Sequence, residues 1–397
     1  MKKFDYVVAF YLQDRRSSHY KKGTKDNPFV LVERHLHFLY NNKIPNLNKI
    51  YFVFNVNNLN KFDKTVITDI TNQYSLNVNL IFRENKGLSY GAWNHALKYI
   101  IKNNPLSEYA FLCEDDYIPT TPEFSLPFLQ QFENNQKVGY VAELIAKLGD
   151  KKHAAISNGF ISYEVSKILY NKHKQIFDIM DLTPEEKPIY HIGVNNQLQF
   201  LNFIEENKYQ ILDISKTHCL PFFELRIESI EFYGNTKGPI IIEPILSSII
   251  LTPLTKNDLP FLLEVRNDPS TRKFLGNDSV FSLKECEKWF KNLKAEWFII
   301  KDLGTKVGYM RTTPDGEVGL DIHPDHRRKG YARKAYNEYL KYKQFATLWV
   351  FEDNFAKNLY IELGFKPTGN TGKIRGRDYT QMFYYNPDFI KTHGEIE

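Results

Sequence analysis

No stretch of this 397-residue chain approaches the roughly 18 consecutive apolar residues that cross a bilayer, so no membrane span is expected. Cysteine is scarce. Cys113, Cys219 and Cys286 are scattered, odd in number and without paired spacing, which argues against a disulfide framework or a structural zinc site and fits a reducing compartment. A cytoplasmic location is the expectation, meaning host cytoplasm or virion if the source is viral. Basic blocks are missing as well: 52 Lys and Arg are interspersed with 47 Asp and Glu, for a net charge of +5. That pattern lacks a nucleic-acid footprint and suits anionic small molecules better. There is no internal repeat and no low-complexity tract. The apolar stretch Val7 to Leu12 is shorter than a signal-peptide core and lacks a small-residue cleavage site, so it reads as a first strand.

What is present is globular in character, with 42% hydrophobic and 25% charged residues. The length exceeds what one ordinary core organises, and two domains is the simplest division. Gly234-Asn235-Thr236-Lys237-Gly238-Pro239 is the clearest punctuation, placing the boundary near residues 236 to 247, with domains at 1–240 and 247–397. Upstream, short apolar runs (Tyr6 to Tyr11, Ile50 to Asn55, Val78 to Phe82, Tyr109 to Cys113) alternate with helical patterns over 28–42, 62–74 and 89–103. This alternation predicts an α/β domain with a mostly parallel sheet, whose ligands sit at the carboxyl ends of strands. Downstream, strands are predicted at 240–242, 249–251, 297–301, 307–312, 317–322 and 347–351. Helices are predicted at 259–267, 283–293, 330–342 and 355–363, which together make an α+β domain.

Within the second domain, the strand Glu317 to Ile322 ends at His323-Pro324, and a basic turn through Arg327, Arg328, Lys329 and Gly330 opens a helix at Tyr331, Ala332 and Arg333. A glycine turn entering a helix presents unpaired N–H groups and the positive end of the helix dipole, a cradle for a diphosphate. The segment resembles the GNAT N-acetyltransferase superfamily, whose pyrophosphate loop Arg/Gln-x-x-Gly-x-Gly/Ala is matched by Arg327, Gly330 and Ala332. Asn354, Ala356, Tyr360, Gly364 and Phe365 match the family's second motif, and the resemblance runs over about residues 249–385. It implies an acetyl-CoA-dependent transfer in which strand 317–322, ending at Ile322, aligns the pantetheine arm. Residues Arg327 to Arg333 and Asn354 would contact the cofactor, and Tyr360 would protonate the departing thiolate. Asp321, Glu317 and His323 are the nearest candidates for the base, with Asp321 ranked first. The opening Leu251-Thr252-Pro253-Leu254 and the run Glu264 to Pro269 resemble relatives that acetylate protein N-termini or amino sugars.

In the first domain, an apolar strand runs into Glu114-Asp115-Asp116. If the extended conformation continues, Glu114 and Asp116 share a face and Asp115 points away. Clustered carboxylates of this kind suit a Mg²⁺ or Mn²⁺ ion carrying a diphosphate. With Asn85, Gly87 and Asn94 on the preceding strand-to-helix turn, the segment resembles GT-A glycosyltransferases related to family 2, over roughly residues 4 to 230. The resemblance implies a Rossmann-like fold, Asp116 as metal ligand with Glu114 assisting, and Asn85, Gly87, Asn94, Glu114 and Asp115 near a nucleotide sugar. The family's Glu-Asp pair and Gln-x-x-Arg-Trp motif are missing. Asp178, Asp181, Glu185 and Glu186 are therefore the candidates for a base, and His218 and His191 are possible late ligands.

Together these readings give an expectation of a bifunctional enzyme: acetylation of a UDP- or dTDP-linked amino sugar, then sugar transfer to a glycan acceptor. The pairing resembles giant-virus proteins acting on nucleotide-linked 4-amino-4,6-dideoxyglucose (viosamine). The alternative is a protein N-terminal or aminoglycoside acetyltransferase carrying a non-catalytic sugar-nucleotide or glycan-binding module.

Overall fold

A computed structural model describes residues 2–12, 29–133, 135, 137–148, 151–187, 189–214, 218–221, 225–226, 241–242 and 247–386. The chain divides into two compact units, and the second begins at Ser247. The punctuating segment Gly234 to Pro239 lies outside the described residues.

The first unit opens with strand β1 (Phe4–Tyr11), helix α1 (Val30–Asn41), β2 (Leu47–Val56), α2 (Thr65–Asn72), β3 (Val78–Glu84), α3 (Leu88–Lys102) and β4 (Tyr109–Glu114). It continues with β5 (Tyr117–Pro119), α4 (Leu126–Glu133), β6 (Val138–Leu148), β7 (Lys151–Ser162), α5 (Tyr163–His173), α6 (Ile189–Glu206), β8 (Gln210–Asp213), β9 (Cys219–Pro221), β10 (Leu225–Arg226) and β11 (Ile241–Ile242). Seven strands form one sheet in the order β3-β2-β1-β4-β7-β6-β8. β1 pairs in parallel with both β2 and β4, and β2 with β3, whereas β7 runs antiparallel to both of its neighbours. The strands β1, β2 and β4 read as nearly unbroken apolar runs because helices cover both faces of such a sheet. On one face α3 contributes Trp93, Ala96, Leu97 and Ile100 to a cluster with Val7, Val53 and Leu112.

α3 begins at Gly87, which is left-handed at φ 68°. One turn later, a Cβ at Gly91 would stand 1.9 Å from the Lys86 carbonyl oxygen, so the first turn folds back on the loop only because Gly91 has no side chain. The chain winds outward through β2 and β3 on one side of β1, then crosses to β4 on the other. The switch point therefore lies between the carboxyl ends of β1 and β4.

The second unit contains β12 (Ile249–Pro253), α7 (Leu259–Asn267), α8 (Pro269–Arg272), α9 (Leu283–Lys291), β13 (Glu296–Asp302), β14 (Thr305–Thr312) and β15 (Val318–Ile322). It ends with α10 (Tyr331–Leu340), β16 (Phe345–Phe351), α11 (Ala356–Glu362), β17 (Lys366–Ile374) and β18 (Arg377–Tyr385). β12, β13, β14 and β15 form an antiparallel meander, and a separate sheet has the order β16-β18-β17. Alternation along the strands sends Ile299 and Tyr309 toward α7 and α9, and Phe298, Ile300 and Met310 toward α10. The hairpin β17–β18 follows a point where the sequence predicted no further element. Pro367, Gly369 and Gly372 make β17 look like a loop, and the ladder skips between Pro367 and Thr371 to accommodate them.

Candidate functional site

In the second unit the site begins where the sheet divides. β15 and β16 meet in parallel at a single bridge, Glu317 with Thr347, where the Thr347 N–H donates to the Gly316 carbonyl at 2.9 Å. Beyond it the strands belong to different sheets. Thr313 N–H donates to Glu317 O and His323 N–H to Val307 O, each at 2.9 Å, so Gly319 and Asp321 spend their backbone groups on β14. The Val318 carbonyl and both backbone groups of Leu320 turn the other way, into the fork, and can serve an extended ligand arm as a ladder would, the Val318 N–H closing the bridge to Thr347.

β15 leads into the turn before α10. Arg328 and Gly330 are both left-handed, at φ 60° and 79°. The first helical bond runs from Lys334 N–H to the Gly330 carbonyl at 3.1 Å, so the N–H groups of Tyr331, Ala332 and Arg333 face out of the helix start. No heavy atom comes within 4 Å of a Cβ built at Gly330, so the cradle is open and the glycine is required by its backbone angle.

The basic residues of this turn divide their duties in a way the sequence did not show. Arg327, expected at the diphosphate, donates Nε–H to the Ile322 carbonyl at 3.0 Å and its other groups to Ser270 and Thr271, with Asp268 at 4.0 Å. It pins the end of β15 to α8. Lys329 Nζ donates to the Asp325 carbonyl at 2.8 Å, and Arg333 pairs with Glu362 of α11. Exposed Arg328 makes no hydrogen bond or ion pair among the described residues, leaving its charge available to a ligand. The Tyr331 hydroxyl donates to Asp302 at 3.0 Å. Asn354 Oδ1 accepts the Ala356 N–H at 3.0 Å and so caps α11.

Of the candidate bases, Asp321 is held best for the task. Tyr309, directly opposite on β14, donates its hydroxyl to Asp321 Oδ2 at 2.7 Å. Burial raises the Asp321 pKa, while the Tyr309 hydroxyl and the charges of Arg311, Arg327 and Arg266 hold it down. Glu317 precedes β15 and faces Arg311 at 3.7 Å. His323 Nδ1 accepts the Asp325 N–H at 3.3 Å, its Nε2 lies 3.2 Å from Glu264, and its ring stacks on Phe261. It is fastened in place by structure. Tyr360 on α11 meets the buried ring of Tyr336 edge-on at 5.5 Å. Burial pushes the Tyr360 pKa up to about 12, with the Tyr336 hydroxyl lowering it and Asp321 raising it further. Tyr309 and Tyr336 were not singled out in the sequence, because only strand register and helix packing bring them to Asp321 and Tyr360.

In the first unit, the acidic turn does lie at the switch point, but not in the expected conformation. β4 ends at Glu114, and Asp115 and Asp116 form a turn. Asp115 does not point away: its carboxylate turns back to accept the Tyr11 N–H at 2.8 Å. The cause is local, since β1 stops at Tyr11 and leaves an N–H that the ladder no longer serves. His35 of α1 fixes the same turn. Its Nε2 donates to the Asp115 carbonyl at 3.0 Å and its Nδ1 accepts the Tyr6 hydroxyl at 2.9 Å, and burial depresses its pKa to about 3.

The strand-to-helix turn is likewise covered by its own chain. Gly87 N–H donates to the Leu182 carbonyl at 2.9 Å, and its carbonyl accepts from buried Asn196 at 3.1 Å. Asn94 Oδ1 accepts the Ile176 N–H at 3.0 Å, so Asn94 is spent on packing. Asn85 is 1% exposed and donates to Asn57 at 3.3 Å, with its Oδ1 left buried and unpartnered.

Among the candidate bases, Asp181 stands 3.7 Å from Arg83 and beside Gly87, and Glu186 caps Thr183. Asp178 and Glu185 are exposed. The His218 ring packs on Phe128, and His191 is exposed on α6. Among the described residues no three His, Cys, Asp or Glu side chains converge on a metal position, so Glu114 and Asp116 gain no third protein ligand.

A carboxylate that the sequence reading passed over lies deeper. Glu143 on β6 is fully buried. Its Oε1 accepts the N–H groups of His218 and Cys219, the latter at 2.9 Å, while Oε2 has no partner. Burial raises its pKa to about 7 against the lowering by those two N–H groups and the Cys219 thiol. The only signal in the sequence is a lone acid inside the apolar run 138–146.

Residues 248–360 match the family described as acetyltransferase (GNAT) domain, and all of them lie in the second unit. No curated protein matches the chain. Similar solved structures include the ribosomal-protein-alanine N-acetyltransferase of Brucella melitensis. It is 19% identical and covers 34% of this chain and 99% of its own, at a TM-score of 0.29. Mutant forms of the spermidine/spermine N-acetyltransferase SpeG of Vibrio cholerae are 23% identical over 36% of this chain and 98% of theirs, at 0.30. The aminoglycoside acetyltransferase AAC(6')-Ib, in complex with coenzyme A, is 16% identical over 36% and 98%, at 0.31.

Proposed function

We propose, on the premise that residues 248–360 are a GNAT-type acetyltransferase domain, that the second unit acetylates the amino group of a nucleotide-linked amino sugar. In the same reading the first unit binds a nucleotide sugar and transfers its sugar to a glycan. The observation that carries the acetyl-transfer part is the fork between β15 and β16, opening beside the left-handed Arg328–Gly330 turn. Acetyl-CoA, when bound, supplies an acetyl thioester activated toward amines. The backbone of Val318 and Leu320 would hold its pantetheine arm, and the outward N–H groups of Tyr331, Ala332 and Arg333 with the Arg328 charge would hold its diphosphate. Asp321, aligned by Tyr309, takes the proton from the attacking amine. Tyr360 gives its proton to the departing sulfur.

What supports the sugar-nucleotide reading of the first unit is the place of Glu114 and Asp116 at the switch point between β1 and β4, where doubly wound sheets bind nucleotides. A Mg²⁺ or Mn²⁺ ion would have Asp116 and Glu114 as protein ligands and would take its remaining oxygens from diphosphate and water. Nucleotide-linked viosamine is the specific amino sugar put forward.

The test incubates the full chain with acetyl-CoA and a panel of UDP- and dTDP-amino sugars, following free thiol and product mass. Acetylated nucleotide sugars are the expected products. Acetylation of peptide N-termini or aminoglycosides with no sugar turnover would overturn the substrate assignment.

A further inference from the structure

Tyr336 lies on α10 and is 1% exposed, and its buried hydroxyl makes no well-formed hydrogen bond, the nearby Tyr360 hydroxyl being the group it acts on. Its ring meets Tyr360 edge-on at 5.5 Å, and both rings pack against Phe365, at 6.1 and 6.0 Å. A phenylalanine would fill the same space without burying a poorly paired hydroxyl, which ordinarily costs stability. The polar atom is thus misplaced as packing, and it sits next to a side chain whose oxygen is expected to change charge. We propose that Tyr336 is a positioning residue for acetyl transfer, its O–H donating a hydrogen bond to the Tyr360 oxygen as that oxygen gives up its proton. The inference rests on the reading of Tyr360 as the acid.

The chemistry calls for such a donor. Tyr360, pushed to about 12, must protonate a sulfur whose thiol has an ordinary pKa of about 8.5, a transfer that runs uphill by roughly 3.5 pK units. In the balanced step the amine nitrogen bonds to the acetyl carbon as the C–S bond breaks, the amine N–H bond breaks toward Asp321, the Tyr360 O–H bond breaks and an S–H bond forms. The charge left on the Tyr360 oxygen then accepts from Tyr336, which keeps its own proton. Tyr360 is faced by Asp321 from β15 and by Tyr336 from α10, and Tyr336 feels Asp321 and Arg311 of β14 as well. Asp321 opposes a charge on Tyr360 until it has taken up the amine's proton, so the two transfers assist each other.

Y336F and Y360F in the full chain test this. Turnover is measured with UDP-4-amino-4,6-dideoxyglucose, and also as acetyl-CoA hydrolysis without any amine, so that the readout does not depend on the acceptor. A hydrogen bond to a charged oxygen is worth about 1.5–3 kcal/mol, so Y336F should lower kcat roughly ten- to a hundredfold. The KM for acetyl-CoA should stay the same, and the Tm should be unchanged or higher because a poorly paired hydroxyl is gone. A merely structural tyrosine would instead lower Tm and move KM. If Y360F is slow while Y336F keeps the parent kcat, the proposal fails alone; if Y360F also keeps full activity, the reading of Tyr360 as the acid fails with it.

Discussion

Replacing Glu143 with Gln should change how the stability of the first unit depends on pH, and the magnitude follows from burial. Glu143 is fully enclosed and titrates near 7 instead of at its ordinary 4.5, because the anion would lose water and gain in exchange the His218 and Cys219 N–H groups and the Cys219 thiol. The folded state therefore holds this proton more tightly than the unfolded chain does. Its stabilising effect is complete below about pH 4.5 and is lost as pH rises through about 7. At 1.36 kcal/mol per pK unit, the loss is about 3 kcal/mol. Gln keeps an oxygen for the two N–H groups and cannot ionise, but it buries an amide whose N–H₂ lacks a partner, a cost of about 1–3 kcal/mol at every pH. The difference in unfolding free energy between parent and E143Q is thus expected to favour the parent near pH 4.5 and to swing by about 3 kcal/mol toward E143Q by pH 8. Urea unfolding from pH 4.5 to 8, with hydrogen exchange in the peptides of β4 and β6 reporting the first unit, measures that difference free of other titrating groups. Parallel curves across this range would refute a proton held by buried Glu143.

Other outcomes follow from single contacts. His35 is neutral in the fold, with a pKa of about 3 against an ordinary 6.5, so its contribution is present above 6.5 and lost as pH falls toward 3, by up to about 5 kcal/mol. Urea unfolding of H35F should show a flatter acid limb than the parent, and an unchanged limb would count against the neutral-histidine assignment. Gly91→Ala sets a methyl 1.9 Å from the Lys86 carbonyl and should cost about 1–3 kcal/mol through a displaced α3 start, read as a lower Tm; a parental Tm would contradict the close approach. Arg328→Ala should raise the KM for acetyl-CoA with little change in Tm. Arg327→Ala should lower Tm first, since it releases Ile322, Ser270 and Thr271. Equal effects of the two substitutions would erase the distinction between ligand-facing and pinning arginines.

The chain by itself determined what depends on near neighbours. The spacing of apolar residues placed β1 to β4 and α1 to α3 within a few residues of their observed ends, because period 2 and period 3.6 are local properties. The left-handed glycine that opens α10 was legible for the same reason, being a backbone angle that only a few residues adopt easily. Hairpin β17–β18 was hidden by its own Pro367 and glycines, and it is held where β16 offers β18 a partner.

Tertiary structure alone decided which charged and polar groups are spent and which are left over. Asp115 is drawn to the end of β1, Arg327 to α8, and Tyr309 to Asp321 across a strand pair. Tyr336 is set beside Tyr360 by the packing of α10 on α11. Glu143 looked like any acid in a strand, but enclosure in the fold raises its pKa to about 7, against hydrogen bonds from residues 75 positions away that lower it. Hydrogen bonds and burial of this kind join residues far apart in sequence. Their energies depend on sheet register and enclosure, which no local pattern encodes.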